Sequence, residues 1–210
     1  MNKKLMLLGY SGHAYTVIEA AFSNKIEVLG YFEKEEKPQN PFNISFLKSE
    51  SEFNFNQLEN HTFVFPSVGE NEIRKKMVEF IITNQLNEIV LVHSSAFIGH
   101  QTFIGNSTLV APNVCVNSLS KIGKGCILNT NCVVEHECIV NDFVHIGPGA
   151  VLAGNVTIGE LTLVGANATV KQGVNIGKNC IIGAGSVVLN DIPDNTIYVG
   201  NPAKYLKDNG

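Results

Sequence analysis

Aliphatic residues recur at every sixth position along the second half of this chain, without interruption from Val92 to Val188. A spacing of six matches neither the 3.6-residue period of a helix nor the alternation of an ordinary strand. It is the hexapeptide signature of a parallel β-helix, in which three hexapeptides form one triangular coil of about 18 residues. The members of the series are Val92, Ile98, Ile104, Val110, Val116, Ile122, Leu128, Val134, Val140, Ile146, Leu152, Ile158, Val164, Val170, Ile176, Ile182 and Val188.

A second position of the repeat, four residues after each aliphatic, holds a small or β-branched residue. Cysteine fills it four times, and there it is expected to behave as a small buried hydrophobe. Those cysteines are Cys126, Cys132, Cys138 and Cys180. Cys115 falls one place later in its repeat and is predicted to face outward. With no CxxC pair and no Cys/His spacing typical of zinc, we expect free thiols in a reducing compartment.

The first 91 residues lack this period and alternate strand-like with helix-like segments, which favours a small parallel α/β domain. We therefore expect three parts: residues 1–91 as a Rossmann-like domain, 92–193 as the β-helix, and 194–210 as a closing segment. The predicted strands cover residues 4–8, 26–31, 62–65 and 88–92, and the predicted helices cover 13–22 and 71–83.

Charged residues make up only 16% of the 210 residues, and the formal net charge is −4. Such a composition excludes a polyelectrolyte, a coiled coil and a disordered tail, and it gives no electrostatic reason to expect nucleic acid as a partner. The apolar run near the N-terminus is too short for a signal peptide, and no stretch approaches a membrane span. We expect a cytoplasmic protein without membrane insertion.

A glycine turn between the first strand and the first helix offers a place for phosphate, because helix N-termini carry free N–H groups. Gly9 and Gly12 form this turn, but the full GxGxxG pattern is absent. Glu33, about 20 residues later, could accept a hydrogen bond from a ribose hydroxyl or a base edge.

His136 and His145 are nine residues apart, which is half a coil, so they are predicted to lie on different sides of one coil. The position one coil after His136 is Gly154, which leaves the histidine uncovered by a side chain. A bare backbone N–H at that position could face a bound carbonyl group.

Four stretches together resemble the nucleotide-sugar N-acetyltransferases of the bacillosamine and perosamine type, to which sialic-acid O-acetyltransferases are related. The resemblance implies a left-handed β-helix, a homotrimer with active sites between subunits, a nucleotide-linked amino sugar held by the α/β domain, and acetyl-CoA lying along the β-helix. The stretches are residues 9–13 (GYSGH), 67–74 (SVGENEIR), 136–145 (HECIVNDFVH) and 200–204 (GNPAK).

The same resemblance implies roles for individual residues. His136 would be the general base that takes a proton from the attacking amine, and His145 would lie near the thioester carbonyl. Glu137 matches the acid that orients the base, with Glu135 as the alternative. The residues expected to bind the nucleotide sugar are Gly9, Ser11, Gly12, His13, Glu33, Ser67, Gly69 and Asn71. The residues expected to bind CoA are His145, Gly154, Gly165, Ala166, Gly183, Pro202 and Lys204.

The leading hypothesis is acetyl transfer from acetyl-CoA to the 4-amino group of a nucleotide-linked 4-amino-4,6-dideoxyhexose for surface-glycan or O-antigen synthesis, with UDP or dTDP favoured over GDP and no metal. One alternative keeps the fold but acetylates a sugar hydroxyl. A second is a non-catalytic sugar-nucleotide-binding scaffold, which would not need a base at His136. A third is a metal enzyme of the carbonic-anhydrase type, for which His100 lies two coils from His136 and hence too far away to share a metal.

Overall fold

The N-terminal domain is a three-stranded parallel sheet flanked by two helices. The computed structural model describes residues 3–55 and 58–210. The sheet order is β2-β1-β3, and all pairings within it are parallel. The elements in chain order are β1 (Lys4–Leu8), α1 (Gly12–Ser23), β2 (Glu27–Phe32), β3 (Thr62–Pro66) and α2 (Asn71–Thr83).

One expected element of this domain is different in the structure. The fourth strand, predicted over residues 88–92, is reduced to β4 (Leu91–Val92), and β4 pairs with a strand of the β-helix rather than with β1, β2 or β3. The reason is that residues 89–91 already hydrogen-bond to the first coil: the Ile89 carbonyl accepts from the Ser107 amide at 3.0 Å, and the Leu91 amide donates to the Thr108 carbonyl at 3.0 Å.

The rest of the chain is a left-handed parallel β-helix built from two-residue strands, β4 to β20 in chain order. Each strand ends on one member of the aliphatic series, so the six-residue pattern predicts every strand of this region. The strands of the first face are β4 (Leu91–Val92), β7 (Leu109–Val110), β10 (Ile127–Leu128), β13 (His145–Ile146), β16 (Leu163–Val164) and β19 (Ile181–Ile182). Those of the second face are β5 (Phe97–Ile98), β8 (Cys115–Val116), β11 (Val133–Val134), β14 (Val151–Leu152), β17 (Thr169–Val170) and β20 (Val187–Val188). Those of the third face are β6 (Phe103–Ile104), β9 (Lys121–Ile122), β12 (Ile139–Val140), β15 (Thr157–Ile158) and β18 (Asn175–Ile176).

The interior of the β-helix is a dry column of aliphatic and small side chains. From Val110 onward every member of the series is at most 2% exposed. Val92, Ile98 and Ile104 are only partly buried, because they lie in the first coil and have no coil on one side. The four cysteines of the small slot are fully buried, as predicted. Burial raises the pKa of Cys126 and of Cys132 to about 12, so these thiols stay protonated.

The C-terminal segment closes the β-helix on its first face. Strand β21 (Thr196–Val199) pairs parallel to β19, and β22 (Lys204–Asp208) then returns antiparallel to β21. The last two strands therefore continue the first face and end it with a hairpin.

Helix α2 joins the two domains. Arg74 on this helix donates to carbonyl oxygens of the β-helix at Gly125 and Phe143, and Lys75 forms a salt bridge of 2.9 Å with Glu160. Residues 71–83 thus fix where the α/β domain lies against the first face. No helix in the described ranges is long and apolar enough to cross a membrane.

Candidate active site

His136 lies in the turn between the second and the third face, which we call the 2–3 edge. Its Nδ1 atom is 3.0 Å from Oε2 of Glu137, and the two side chains are 51% and 58% exposed. Glu137 has a positive φ of 60°, and Asn131 and Phe143, at the same position of the neighbouring hexapeptides, have a positive φ as well. A carboxylate on Nδ1 fixes the imidazole with Nδ1 protonated and leaves Nε2 as the basic atom, as a catalytic base requires.

Glu135 takes a different partner, the amide of Asn117 one coil earlier, at 2.9 Å. Of the two acids considered for orienting the histidine, Glu137 is therefore the one in contact with it. On the other side the imidazole of His136 covers Gly154, where a Cβ would come within 2.6 Å of Cε1 and 2.7 Å of Nε2. Only glycine at this position lets the ring lie where it does.

His145 lies on the first face, in β13, and not on the 2–3 edge. Its Nδ1 atom is 3.3 Å from the Gly69 carbonyl oxygen, and its Nε2 atom is 3.1 Å from the side-chain nitrogen of Asn129. Asn129 is itself oriented, because its side-chain oxygen accepts from the Thr130 amide at 2.8 Å. The imidazole therefore donates through Nδ1 and accepts through Nε2.

The surroundings of His145 keep it uncharged. Burial, followed by the positive charge of Arg74, lowers its pKa to about 4, although the bond to the Gly69 carbonyl acts in the opposite direction. The ring of His13, on α1, is centred 6.3 Å away. Burial also lowers the pKa of His13 to about 3, with smaller contributions from His145 and Arg74, and its buried Nε2 atom has no hydrogen-bond partner among the described residues.

The carboxyl edge of the three-stranded sheet carries most residues expected to hold the nucleotide sugar. Gly9 and Glu33 line a cavity of about 400 Å³ between the ends of β1 and β2 and helix α2. Glu33 accepts from the Tyr10 amide at 3.1 Å and pairs with Lys37 at 3.4 Å. The cavity walls are mostly apolar, which suits the face of a nucleobase.

The N-terminus of α1 lies beside this cavity. Ser11 is the N-cap residue, yet its side chain makes no capping hydrogen bond, and both Ser11 and Gly12 are exposed. A Cβ on Gly12 would meet nothing within 4 Å. The free hydroxyl and the first helical N–H groups are the donors that a phosphate group requires.

Two other residues expected to bind substrate have their polar groups committed within the chain. Ser67 is fully buried, and its hydroxyl is directed to the Phe65 carbonyl. The Asn71 side chain donates to the Leu161 carbonyl at 2.7 Å and accepts from Arg74 at 2.7 Å. Gly69, also expected to bind the nucleotide sugar, contacts His145 through its carbonyl oxygen.

The residues expected to bind CoA lie further along the β-helix. Gly165 and Gly183 follow β16 and β19, one coil apart, and their amides donate to the Ile182 and Tyr198 carbonyls. Ala166 follows Gly165, and within residues 3–55 and 58–210 its amide donates to no acceptor. Pro202 and Lys204 are at the hairpin; Pro202 is exposed and Lys204 begins the exposed strand β22.

Two residues of this region were not singled out by the sequence. Asn129 occupies the position one coil before Gly147 and contacts His145, and Arg74 is 1% exposed with its guanidinium against the Gly69 carbonyl. Aligning the coils shows Asn129 as a polar residue at a position that is glycine in each of the next three coils, at Gly147, Gly165 and Gly183. For Arg74 the signal is its spacing, because it lies four and seven residues before Val78 and Ile81 and so shares the buried face of α2, although helical arginines are usually exposed.

The groups thus fall into two sets, an exposed base at the 2–3 edge and a half-buried pair at the first face, formed by His145 and the side-chain amide of Asn129. They are on different sides of the β-helix, as their nine-residue separation predicts. An exposed, oriented imidazole can accept a proton from an amine, and the second set can hold a polar group in place.

Three family models match separate parts of the chain. The model described as the PglD N-terminal domain matches residues 4–81. The model of the bacterial transferase hexapeptide (six repeats) matches residues 119–154, and that of the hexapeptide repeat of succinyl-transferase matches residues 155–190.

Two solved structures are similar over nearly the full chain. A histidine-to-asparagine variant of perosamine N-acetyltransferase from Caulobacter crescentus, in complex with CoA and GDP-perosamine, has a TM-score of 0.92 and 29% identity, covering 98% of this chain and 97% of that one. The acetyltransferase domain of PglB from Neisseria gonorrhoeae FA1090, in complex with acetyl coenzyme A, has a TM-score of 0.91 and 31% identity, covering 98% of this chain and 100% of that one.

Among curated proteins, GDP-perosamine N-acetyltransferase from Escherichia coli O157:H7 is 31% identical over 64% of this chain and 52% of its own length. Serine acetyltransferase 3 from Arabidopsis thaliana is 31% identical over 64% of this chain and 32% of its own length. The chain thus spans about a third to a half of the curated relatives that it matches.

Proposed function

Because this chain belongs to the hexapeptide-repeat sugar N-acetyltransferases that carry a PglD N-terminal domain, we propose that it transfers an acetyl group from acetyl-CoA to a nucleotide-linked amino sugar. The acceptor is the 4-amino group of a 4-amino-4,6-dideoxyhexose, and the product serves surface-glycan synthesis in the bacterial cytoplasm. The observation that carries this proposal is the exposed His136–Glu137 pair on the 2–3 edge.

The reaction is a direct attack in a ternary complex. The amine nitrogen forms a bond to the thioester carbonyl carbon while Nε2 of His136 accepts the proton that the nitrogen loses. Glu137 accepts from Nδ1 and stabilises the resulting imidazolium. The carbon–sulfur bond then breaks, and the proton passes to the CoA thiolate, so that CoA and the N-acetylated sugar are released.

The carbonyl oxygen gains negative charge during this attack, and the Gly154 amide is the donor proposed for it. Within the described parts of the chain this amide makes no hydrogen bond, so it remains free for a ligand. Preformed backbone donors of this kind contribute on the order of 3 kcal/mol of transition-state stabilisation. His145 acts at the same acyl group by holding the side-chain amide of Asn129 in place.

A homotrimer is part of the proposal, since His136 and His145 cannot converge within one chain. They lie on different faces of the β-helix. A complete site then takes His136 from one subunit and the first face, with His145, from the next. The outward side chains of the second face are mainly apolar and half-buried, which suits packing against another copy.

The nucleotide occupies the carboxyl edge of the α/β domain, with the base in the cavity beside Gly9 and Glu33 and the phosphates at Ser11, Gly12 and His13. The pantetheine arm of acetyl-CoA runs along Gly165, Ala166 and Gly183 toward the hairpin, where Pro202 and Lys204 meet the adenosine end.

The deciding experiment is acetyl transfer by wild type and by His136→Ala. We expect turnover to fall by about 10²- to 10⁴-fold in the variant, since it lacks the base. Sedimentation should show the same assembly for both proteins. Near-normal turnover of His136→Ala would reject the role of this histidine, and absence of transfer by the wild type to every acceptor would favour the non-catalytic scaffold.

Acceptor chemistry is tested with the same assay. A nucleotide-linked 4-amino sugar and a sialic acid are compared at equal concentration, and we expect acetylation of the amine. Preferred acetylation of the sialic-acid hydroxyl would instead support the O-acetyltransferase reading.

The nucleotide is tested by thermal shift with UDP, dTDP and GDP. The sequence favours a pyrimidine, so UDP or dTDP should stabilise the protein most. Stabilisation by GDP alone, the nucleotide of the bound sugar in the Caulobacter crescentus neighbour, would overturn that preference.

A further inference from the structure

Arg74 is the largest fully buried side chain of the described structure, and it lies at the junction of the two domains. All five of its N–H groups are used. They reach the carbonyl oxygens of Gly125 at 2.6 Å, Phe143 at 2.9 Å, Gly69 at 3.0 Å and Val68 at 3.4 Å, and the side-chain oxygen of Asn71 at 2.7 Å.

None of these partners is a carboxylate, and Arg74 forms no salt bridge within residues 3–55 and 58–210. Burying this cation is costly even though the charge of Glu70 offsets part of the penalty, so a physical reason for the burial is expected beyond joining two domains. Burial lowers the pKa of Arg74 to about 10, which still leaves the guanidinium charged at neutral pH.

The Gly69 carbonyl gives that reason, because it has two donors. Arg74 Nη1 is 3.0 Å from its oxygen, and His145 Nδ1 is 3.3 Å from it. The other Arg74 contacts tie this loop to the turns of the β-helix before β10, which Asn129 follows, and before β13, which contains His145. The guanidinium therefore sets the position of the acceptor that faces Nδ1 of His145.

We propose that Arg74 is a positioning residue: its guanidinium holds the Gly69 carbonyl where it accepts the Nδ1 proton of His145, and this fixes the tautomer that leaves Nε2 free to accept from Asn129. The chain of contacts runs from Arg74 through Gly69 and His145 to Asn129. The positive charge of Arg74 also disfavours a second proton on the ring. The inference concerns the acyl side of the proposed active site and rests on the proposed function only for its effect on turnover.

The direct test is the ¹⁵N spectrum of histidine-labelled protein at neutral pH, with His145 assigned by comparison with His145→Gln. In wild type we expect Nδ1 of His145 to carry the proton and Nε2 to have the shift of a bare ring nitrogen. In Arg74→Met we expect averaged shifts, because the two tautomers then exchange. A wild-type spectrum with the proton on Nε2 overturns the proposal without any variant, so it remains testable even where Arg74→Met fails to fold.

Two further variants distinguish the effect of the several N–H groups of the guanidinium from the effect of its charge and from the effect of contact between the domains. Arg74→Lys keeps the charge but cannot reach several carbonyls at once, and we expect it to lose the fixed tautomer as well. Lys75→Met removes the neighbouring contact to Glu160 without touching Gly69, and we expect the wild-type spectrum. A wild-type His145 spectrum in Arg74→Lys, or an altered one in Lys75→Met, would contradict the assigned role.

Turnover provides the second readout. For Arg74→Lys we expect kcat to fall on the order of tenfold or more, with the KM for acetyl-CoA changed much less, since positioning acts on the reacting group. A change in tautomer with no acetyl transfer by any protein, wild type included, would reject the proposed function and leave the positioning role intact. Normal transfer by Arg74→Lys with an unchanged tautomer would reject the positioning role and leave the proposed function intact.

Discussion

The β-helix and the domain junction differ in how they treat polar side chains. In the β-helix the interior is aliphatic except for small hydroxyl residues such as Thr108 and Ser120, which donate to backbone carbonyls. The proposed base lies on the outside, where His136 and Glu137 are both more than half exposed. At the junction the polar groups are inside: Arg74 is buried and His145 is half-buried, and each is bonded to backbone carbonyls.

This difference has a physical origin. A repeat of stacked coils satisfies its own backbone groups, so a corner residue can change without cost to the core. The junction has no repeat, and one side chain, that of Arg74, donates to its carbonyls at Gly69, Gly125 and Phe143. Mutations at the exposed edge should therefore change activity with little effect on stability. Mutations at the junction should change both activity and stability.

The largest effect on folding is expected inside the β-helix. Leu152→Ala removes a fully buried side chain from β14, and we expect the free energy of unfolding to fall by about 2–5 kcal/mol. Ile139→Ala in β12, whose side chain faces outward on the third face and is 42% exposed, is the control and should cost much less. Equal losses in urea denaturation would show that the interior is not the source of stability assumed in the comparison.

The next largest effect is a loss of activity that leaves the stability of the fold unchanged. Gly154→Ala places a Cβ 2.6 Å from Cε1 of His136, and the ring can move aside because it is the end of a flexible side chain. We expect turnover to fall on the order of 100-fold while the melting temperature changes little. Gly173→Asn, on the same edge with open space around it and a positive φ that asparagine tolerates, is the control. Unaltered turnover of Gly154→Ala would mean that the observed ring position is not required.

The junction should be the pH-sensitive region. The pKa of His145 is about 4 and that of His13 about 3 in the folded protein, against about 6.5 when unfolded. Between pH 6.5 and these values the unfolded chain binds protons that the folded one does not, so stability falls as the pH is lowered. From pH 6.5 to 5 we expect a loss on the order of 2 kcal/mol for each histidine.

This loss is measured as the melting temperature at a series of pH values. Arg74 is the positively charged group that acts on both rings. His145→Gln should flatten the dependence, and His100→Gln, an exposed histidine of the β-helix, controls for removing a histidine. Identical slopes for wild type and His145→Gln would place the acid sensitivity outside the junction.

The smallest effect is expected at the surface of the junction. Lys75 and Glu160 pair at 2.9 Å, with side chains 31% and 42% exposed, and such pairs contribute less than about 1 kcal/mol. Lys75→Met should therefore change the unfolding free energy by under about 1 kcal/mol. A loss of several kcal/mol would mean that the domains are held together by surface charge rather than by Arg74.

The repeat was predictable from the sequence, and the junction was not. The period of six identifies every strand from β4 to β20, because inward positions have to be aliphatic in each hexapeptide. It also places His136 and His145 on different faces. Helix α2 was predicted with its observed bounds, Asn71–Thr83, since its apolar spacing is regular.

The contacts of the junction depend on how the two domains meet, which no local pattern encodes. Ser67 and Asn71 illustrate this, because their polar groups bond within the chain although their residue types suit a ligand. Arg74 lies in register with Val78 and Ile81 on the buried face of α2, but an arginine is usually exposed, so the sequence did not decide between burial and exposure.

Strands β13, β16, β19 and β21 stack in order on the first face, so distances along the β-helix axis come in steps of one strand spacing. Three steps of the roughly 4.8 Å strand spacing place the closing hairpin about 14 Å from His145 along the axis. An insertion of 18 residues between them would lengthen this span by one step and leave every corner in phase. An insertion of six residues would rotate all that follows by one face. The distance between His145 and the closing hairpin can therefore change only by whole coils of about 18 residues.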